Sequence, residues 1–350
     1  MVAAILTTLL SACGGAGSER FIPTGQEVLP TPGARDQATL TGAGSTFVEP
    51  LLREWIARYR ALAPQVTVNY ESAGSAVGIG RLVAGEGDFS TSDFPLSEVQ
   101  EATLGGSEAV IQVPWAAGAI AVAYNLPDAG PVRLSPSTLS GIFSGRITRW
   151  TDAAIRGDNP DSRLPDLAIS VVYRSDESGT TWIFTSFLSD SDSGWPLGPG
   201  RAVRFPRGTG VVGSDAVAAA VARTPGAVGY VQLSFAKKAS LGVALVGNRS
   251  GRFVEPTPEA VNAALVMGGL RSYGTTVQLN LNPDAPGAYP LSTLSYLMYR
   301  KDMADAEKAR ALQHFAIWAL GEGQRMAEPL GYAPVPRQFQ IPGIVAIQKP

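Results

Sequence analysis

A short segment that begins at Arg174 carries the residue types that bind small anions. Arg174-Ser-Asp-Glu-Ser-Gly-Thr-Thr181 follows an apolar, β-branched run and precedes an apolar pattern typical of a helix. A strand, a turn of small residues and a helix start therefore meet at one guanidinium and several hydroxyls. Unpaired N–H groups and the positive dipole end of a helix start favour an anion. The arginine adds a planar donor fork suited to tetrahedral oxyanions, so the segment is predicted to bind a small anion.

Three further loops place small hydroxyl residues between a predicted strand and a predicted helix. They are Thr41–Phe47, Glu71–Gly78 and Asp88–Leu96. Taken singly, each has an ordinary structural interpretation: Thr46-Phe-Val-Glu49 fits a helix capping box, and Asp93 suits a turn or a helix N-cap. The alternation of strands and helices indicates an α/β fold with parallel or mixed sheets. The order of the four loops is more informative than any one of them.

In that order, the loops resemble the phosphate-specific substrate-binding proteins of bacterial ABC importers. The resemblance runs from about Ala38 almost to the C-terminus. It implies an α/β, two-lobed, periplasmic-binding-protein-like fold, in which each lobe is a mixed sheet flanked by helices and the ligand lies in the interlobe cleft. The segments that carry it are Leu40–Phe47, Val68–Ser75, Gly87–Asp93, Gly141–Trp150, Arg174–Thr180, Pro225–Tyr230 and Tyr289–Ser292.

The resemblance also implies which residues bind the ligand. The first lobe is expected to supply some of them and the Arg174 segment, in the second lobe, the others, so that binding bridges the lobes. Asp176 is expected to orient Arg174, and no catalytic residue, metal or cofactor is implied. The implied phosphate-binding residues are Thr46, Phe47 (through its backbone N–H), Ser75, Asp93, Arg174, Ser178, Gly179 and Thr180.

Three places differ from the family pattern. Ala76-Val77-Gly78 stand where the family has a glycine-rich stretch after Ser75, and Ser90-Thr91 replace smaller residues before Ser92-Asp93. Glu177 occupies a position that is usually glycine and is expected to add a negative charge near the anion. None of these differences removes an implied ligand-binding residue.

Asp93 is the most informative of the implied residues, because a carboxylate beside an anion needs a reason. An ionised carboxylate only accepts hydrogen bonds, so it suits a ligand that still carries a proton. Phosphate carries one near neutral pH and sulfate does not. Asp93 is therefore predicted to select phosphate over sulfate.

Composition and charge narrow the function classes. The chain has 350 residues, 17% of them charged, and a formal net charge of −2, which gives no global attraction to nucleic acid. One cysteine and one histidine exclude an intramolecular disulfide and a Cys/His metal cluster. The histidine, His314, falls in an amphipathic helix pattern where a structural role is expected rather than that of a catalytic base.

The N-terminus predicts export and anchoring. An apolar run ends at Leu10-Ser-Ala-Cys13, which resembles the bacterial lipobox, and it is too short to span a bilayer. Residues 1–13 are interpreted as a lipoprotein signal with Cys13 as the lipidation site, and 14–37 as a flexible tether. Residues 38–116 and 291–350 are assigned to lobe I and 117–290 to lobe II. The expected protein is an extracytoplasmic, membrane-anchored monomer that delivers phosphate to membrane permease subunits.

Three other function classes stay open from the sequence. The same fold could serve a different oxyanion, such as sulfate, molybdate or tungstate, although Asp93 argues against fully ionised ones. A phosphate-ester hydrolase would use Ser45 or Ser178 as a nucleophile, for which the sequence offers no evident base or metal ligands. A surface protein that uses the fold for signalling or adhesion is a third alternative.

Overall fold

The computed structural model describes residues 36–127, 129–267, 270–273 and 276–349. Cys13, the predicted signal and the predicted tether up to residue 35 lie outside this range. Among the described residues, no helix is both long enough and apolar enough to cross a membrane.

Strands and helices alternate along most of the described chain. The strands are β1 Ala38–Gly44, β2 Val66–Glu71, β3 Phe89–Ser92, β4 Val110–Tyr124, β5 Arg133–Leu134, β6 Ser170–Arg174, β7 Thr209–Val211, β8 Ala227–Gln232, β9 Gly242–Val243, β10 Leu245–Gly247, β11 Phe253–Val254, β12 Leu270–Tyr273, β13 Thr276–Leu279, β14 Ser292–Arg300 and β15 Tyr332–Ala333. The α-helices are α1 Glu49–Leu62, α2 Ser75–Ala84, α3 Glu98–Thr103, α4 Pro136–Phe143, α5 Ala153–Asp158, α6 Gly179–Ser191, α7 Ser214–Arg223, α8 Leu233–Lys238, α9 Pro258–Met267, α10 Ala306–Leu320 and α11 Arg337–Gln348.

The long strand β4 belongs to two half-sheets. Its residues 110–119 pair antiparallel with β14, and the first half-sheet continues in the order β3, β1, β2. Its residues 120–124 pair antiparallel with β8, and the second half-sheet continues through β6 to β7. Strands β1, β2 and β3 are mutually parallel, as are β6, β7 and β8. The strand pairing thus changes near the predicted lobe boundary at 116/117. This boundary and the second one, at 290/291, stay predictions.

Helices cover the half-sheets and bury separate aromatic clusters. In the first, Trp55 and Trp115 pack edge to face with ring centroids 5.2 Å apart. In the second, Phe184 stacks on Tyr230 at 4.4 Å. All four side chains are fully buried. Burying a large apolar side chain contributes roughly 1.5–3 kcal/mol, and both aromatic pairs belong to one continuous core of buried side chains.

Strand β4 runs through a proline, Pro114. Pro114 cannot donate a ladder hydrogen bond and normally argues against a strand. Here the register with β14 shifts at this point: Ser295 faces Ala116 and the next residue of β14 faces Pro114. Trp115 is therefore the extra residue of a β-bulge, a place where proline is tolerated.

The first described residues, Asp36 and Gln37, belong to the predicted tether. Asp36 is buried and accepts hydrogen bonds from Arg310 Nε (2.9 Å) and His314 Nδ1 (2.5 Å) of α10. Burial acts to raise the pKa of Asp36, but these partners hold it below its usual value. The histidine thus takes part in holding Asp36 against α10.

Candidate functional site

Asp93 lies at the carboxyl edge of the first half-sheet, where the loops after β1, β2 and β3 meet. Its side chain is buried and accepts three hydroxyl hydrogen bonds. Ser45 Oγ donates to Oδ1 at 2.6 Å, Ser295 Oγ donates to Oδ1 at 2.9 Å, and Ser75 Oγ donates to Oδ2 at 3.3 Å. Ser295 belongs to the β14 segment opposite the bulge, and bulges commonly re-aim a side chain in this way.

Burial dominates the ionisation of Asp93. It raises the pKa of the carboxyl to about 6, although the three hydroxyls and the charge of Arg174 act to lower it. Near neutral pH the group is mostly ionised, and its remaining oxygen lone pairs can only accept. A partner that donates a proton to Asp93 is therefore favoured at this position.

The loop after β1 is held by the neighbouring strands. Thr91 Oγ1 accepts from the Ser45 N–H (2.9 Å), and Tyr70 Oη donates to the Ser45 carbonyl (2.7 Å). Gly44 has φ +146°, and a Cβ there would lie 2.1 Å from the Thr91 carbonyl oxygen. Only glycine allows β1 to approach β3 this closely. Thr91, one of the departures from the family pattern, thus anchors the loop that carries Ser45.

Arg174 ends β6 on the second half-sheet and is almost fully buried, with 1% of its surface exposed. Asp176 binds the guanidinium on two atoms: Nε donates to Oδ1 at 2.6 Å, and Nη2 pairs with Oδ2. Burial acts to raise the pKa of Asp176, yet the hydrogen bonds and charge of Arg174 hold it below its usual value. The bidentate pair fixes the plane of the guanidinium.

Arg174 reaches across to the first half-sheet. Its Nη1 donates to Thr46 Oγ1 at 2.9 Å and to Ser214 Oγ at 3.1 Å. Since Thr46 follows β1, this contact connects the two half-sheets. The guanidinium charge therefore lies between the loops of both halves.

The start of α6 faces Asp93. Ser178 caps the helix by accepting from the Thr181 N–H at 3.3 Å. A Cβ on Gly179 would lie 2.6 Å from Asp93 Oδ2 and 2.6 Å from Ser75 Oγ. The hydroxyl of Thr180 is buried and has no hydrogen-bond partner among the described residues. A buried polar atom without a partner is costly, which marks Thr180 as a group suited to a ligand.

The structure brings the residues predicted for the site to one place. Thr46, Ser75 and Asp93 come from the first half-sheet, and the segment from Arg174 to Thr180 comes from the second. The two departures Val77 and Glu177 have exposed side chains. Neither therefore fills the space between Asp93 and Arg174, and the ligand contacts themselves stay a prediction.

Two local expectations differ from the structure. The capping-box interpretation of Thr46 is wrong, because α1 begins at Glu49 behind Val48 with no side-chain cap, and the Thr46 hydroxyl bonds Arg174 instead. The Phe47 N–H donates to Ser45 Oγ at 2.9 Å. A ligand contact from this N–H would have to share or replace that bond.

Three residues of the site, Ser214, Ser295 and Tyr230, were not predicted from the sequence. Ser214 begins α7 after the glycine-containing turn Val211-Val-Gly-Ser214, the same strand–turn–helix pattern as the other loops, so its signal was present. Tyr230 Oη bonds Thr181 Oγ1 at 2.9 Å from inside an apolar strand. Ser295 reaches Asp93 through a register shift, which no spacing rule reveals.

Comparisons with known proteins identify the family of this chain. A model described as a PBP superfamily domain matches residues 29–322. The phosphate-binding protein PstS of Xylella fastidiosa (strain 9a5c) is 35% identical over 318 residues, covering 87% of this chain and 85% of that protein. PstS of Pasteurella multocida is 34% identical over 304 residues, covering 86% and 87%. The chain belongs to the PBP superfamily and to its PstS family.

Solved structures confirm the fold of this PstS family member. The phosphate-binding protein from Stenotrophomonas maltophilia has a TM-score of 0.67 at 21% identity, covering 88% of this chain and 94% of that one. The predicted α/β, periplasmic-binding-protein-like fold is therefore confirmed. Family membership also confirms the resemblance drawn from the sequence and the assignment to binding proteins rather than enzymes.

Proposed function

We propose that this chain is an extracytoplasmic receptor that binds inorganic phosphate and delivers it to an ABC importer. Its relatives are named phosphate-binding proteins, and the solved structures similar to it include a putative phosphate ABC transporter substrate-binding protein with bound phosphate. The phosphate would lie between the loops of the first half-sheet and the Arg174 segment.

The observation that carries the proposal is a buried acceptor surrounded by donors. Asp93 lies against the start of α6, where first-turn N–H groups have no intrahelical partner. The buried Thr180 hydroxyl and the buried guanidinium of Arg174 lie on the same side of the site as α6, in the half of the protein opposite Asp93. A dehydrated anion is stable in a protein only when donors match its oxygens. An anion that still holds a proton can in addition donate to Asp93, and this combination favours phosphate over sulfate.

The site residues of the proposal are those expected from the sequence. The donors would be Thr46, Ser75, Ser178, Thr180, the N–H groups of Phe47 and Gly179, and Arg174 oriented by Asp176. Asp93 would accept the proton of phosphate. Lobe closure around the anion, with lobe I at 38–116 and 291–350 and lobe II at 117–290, would report occupancy to the permease.

Anchoring and assembly are part of the same proposal. Lipidation at Cys13 would hold the receptor, as a monomer, at the extracytoplasmic face of the membrane. A radiolabelled fatty acid should enter the full-length protein expressed in bacteria and should be absent from a Cys13→Ala variant. Labelling that persists in the variant would refute the anchor.

Calorimetric titration tests the binding function. The soluble chain from residue 36, unfolded and refolded to remove carried ligand, is titrated with phosphate and then with sulfate. We expect one-to-one binding of phosphate and negligible heat with sulfate. Asp93→Asn should narrow this preference, whereas Asp166→Asn, an exposed aspartate paired with Arg149, should leave it unchanged. Equal binding of both anions by the unchanged protein would favour a general oxyanion receptor instead.

A further inference from the structure

Ser214 forms a closed group of three polar atoms with Thr46 and Arg174. It is the first residue of α7 and has 1% of its surface exposed. Its Oγ lies 2.7 Å from Thr46 Oγ1 and 3.1 Å from Arg174 Nη1, and Nη1 lies 2.9 Å from Thr46 Oγ1. Each atom therefore contacts the other two within hydrogen-bond distance.

The directions of these hydrogen bonds follow from donor and acceptor counts. A guanidinium only donates, so both hydroxyl oxygens accept from Nη1. Each hydroxyl has one hydrogen, and the bond between the two hydroxyls uses one of them. The other hydrogen is left for a further acceptor. Thr46 is the more exposed of the two, at 6% against 1% for Ser214, so its hydrogen has the better access to a ligand.

We infer that Ser214 is a positioning residue of the anion site: it donates to Thr46 Oγ1 and thereby turns the Thr46 hydrogen towards the bound anion. This inference rests on the proposed phosphate-binding function. Ser214 acts through Thr46 and Arg174 and does not itself contact the ligand. Without it, the Thr46 hydroxyl can rotate, and Nη1 loses one of its two oxygen partners.

The turn before α7 supports the same guanidinium from another side. The Gly213 N–H donates to Asp176 Oδ1 at 3.3 Å, and Asp176 in turn holds Arg174. The turn thus supports both partners of Arg174: the Gly213 N–H bonds Asp176, and the Ser214 hydroxyl bonds Thr46. Because Thr46 belongs to the first half-sheet and Ser214 to the second, their hydrogen bond also connects the two halves.

The test is a double-mutant cycle measured by phosphate titration. Ser214→Ala should weaken phosphate binding roughly tenfold, the value of one hydrogen bond of about 1.4 kcal/mol. In a Thr46→Val background the same change should cost less, because Ser214 then has no hydroxyl to orient and acts through Arg174 alone. Ser250→Ala, a serine paired with Asp284 in an exposed loop, serves as the control and should bind like the unchanged protein.

Three results with the variants, and one with the unchanged protein, would overturn the inference. The first is a phosphate affinity of Ser214→Ala equal to that of the unchanged protein. The second is an equal loss of affinity from Ser214→Ala in the unchanged protein and in the Thr46→Val variant. Ser214→Cys separates hydrogen bonding from filling of space, since a thiol occupies the volume but is a weak donor. It should lose affinity like the alanine variant, and full binding would show that Ser214 only packs. An unchanged protein that binds no phosphate would refute the proposed function, and the inference with it; loss confined to these variants concerns Ser214 alone.

Discussion

Gly179 and Asp93 face each other from opposite half-sheets at a distance that leaves no room for a side chain between them. A Cβ on Gly179 would lie 2.6 Å from Asp93 Oδ2 and 2.9 Å from Asp93 Cβ. Glycine at the first position of α6 therefore allows the helix start, with its free N–H groups, to approach the carboxylate. This approach depends on the two halves being close together.

Gly179→Ala should weaken phosphate binding without unfolding the protein. The added methyl group forces the α6 start away from Asp93, and overpacking of this kind costs typically about 1–3 kcal/mol, or roughly ten- to a hundredfold in affinity. Phosphate titration measures the loss. Gly80→Ala is the matched control, since no atom lies within 4 Å of a Cβ at that helical glycine. Unchanged affinity in Gly179→Ala would show that the halves need not come this close.

Asp93→Asn should stabilise the ligand-free protein at neutral pH. The pKa of Asp93 is about 6 in the fold against an ordinary 3.8, so its ionisation costs about 3 kcal/mol more in the fold than in the unfolded chain. A raised carboxyl pKa favours the folded state while the group is protonated. That contribution is complete below about pH 4, falls as the pH rises to about 6, and is absent above it.

Chemical unfolding in phosphate-free buffer at pH 7.5 and at pH 4 measures this effect. At pH 7.5 the Asp93→Asn variant should be more stable than the unchanged protein by about 1–3 kcal/mol, and the difference should shrink at pH 4. Asp166→Asn removes an exposed carboxylate and should give no gain, since exposed ion pairs contribute little. A loss of stability in Asp93→Asn at pH 7.5 would mean that the three serine hydroxyls outweigh the cost of burial.

Thr180→Val should separate ligand binding from stability. The Thr180 hydroxyl is buried without a partner among the described residues, so valine should stabilise the ligand-free protein, by up to about 1–3 kcal/mol. Phosphate affinity should fall roughly tenfold, because one donor to the anion is lost. Thermal unfolding without ligand and phosphate titration measure the two effects.

The neighbouring threonine provides the opposite case. Thr181 Oγ1 bonds Tyr230 Oη at 2.9 Å inside the core, so Thr181→Val should lower stability by about 1–3 kcal/mol and change phosphate affinity less than Thr180→Val does. If both variants lose stability alike, the Thr180 hydroxyl has a partner that the proposed site does not explain.

The sequence predicted the loops of the site better than the atoms that connect them. Arg174 was identifiable from its residue type beside a predicted helix start, whereas the roles of Asp176 and Asp93 were implied by the resemblance of the ordered loops to the family. Ser295 was not predicted, because its position depends on the bulge at Trp115 on the facing strand β4, and a one-residue shift changes which face a side chain occupies. Ser214 had the correct local pattern, but its partners lie 168 and 40 residues away in the chain, and such pairings are set by packing of the whole fold.

Phe94 provides an apolar contact between the halves next to Asp93. Its ring centroid lies 5.8 Å from that of Trp182 on α6 and 4.2 Å from the guanidinium carbon of Arg201, both on the second half. An aromatic pair contributes about 0.5–1.5 kcal/mol, and a cation–π contact about 0.5–1 kcal/mol or more. Together these contacts should slow the separation of the halves once the ligand is bound.

Phe94→Ala should therefore release phosphate faster, by roughly tenfold, with a smaller change in the association rate. Stopped-flow measurement of the Trp182 fluorescence follows the step, because Trp182 loses a ring neighbour when the halves separate; a Trp182→Phe variant identifies its share of the signal. Phe94→Leu keeps apolar volume without the aromatic face, and its dissociation rate should lie between those of the unchanged protein and Phe94→Ala. A dissociation rate in Phe94→Ala equal to that of the unchanged protein would assign the contact to packing alone, and closure would then depend on the polar contacts of Arg174 with Thr46.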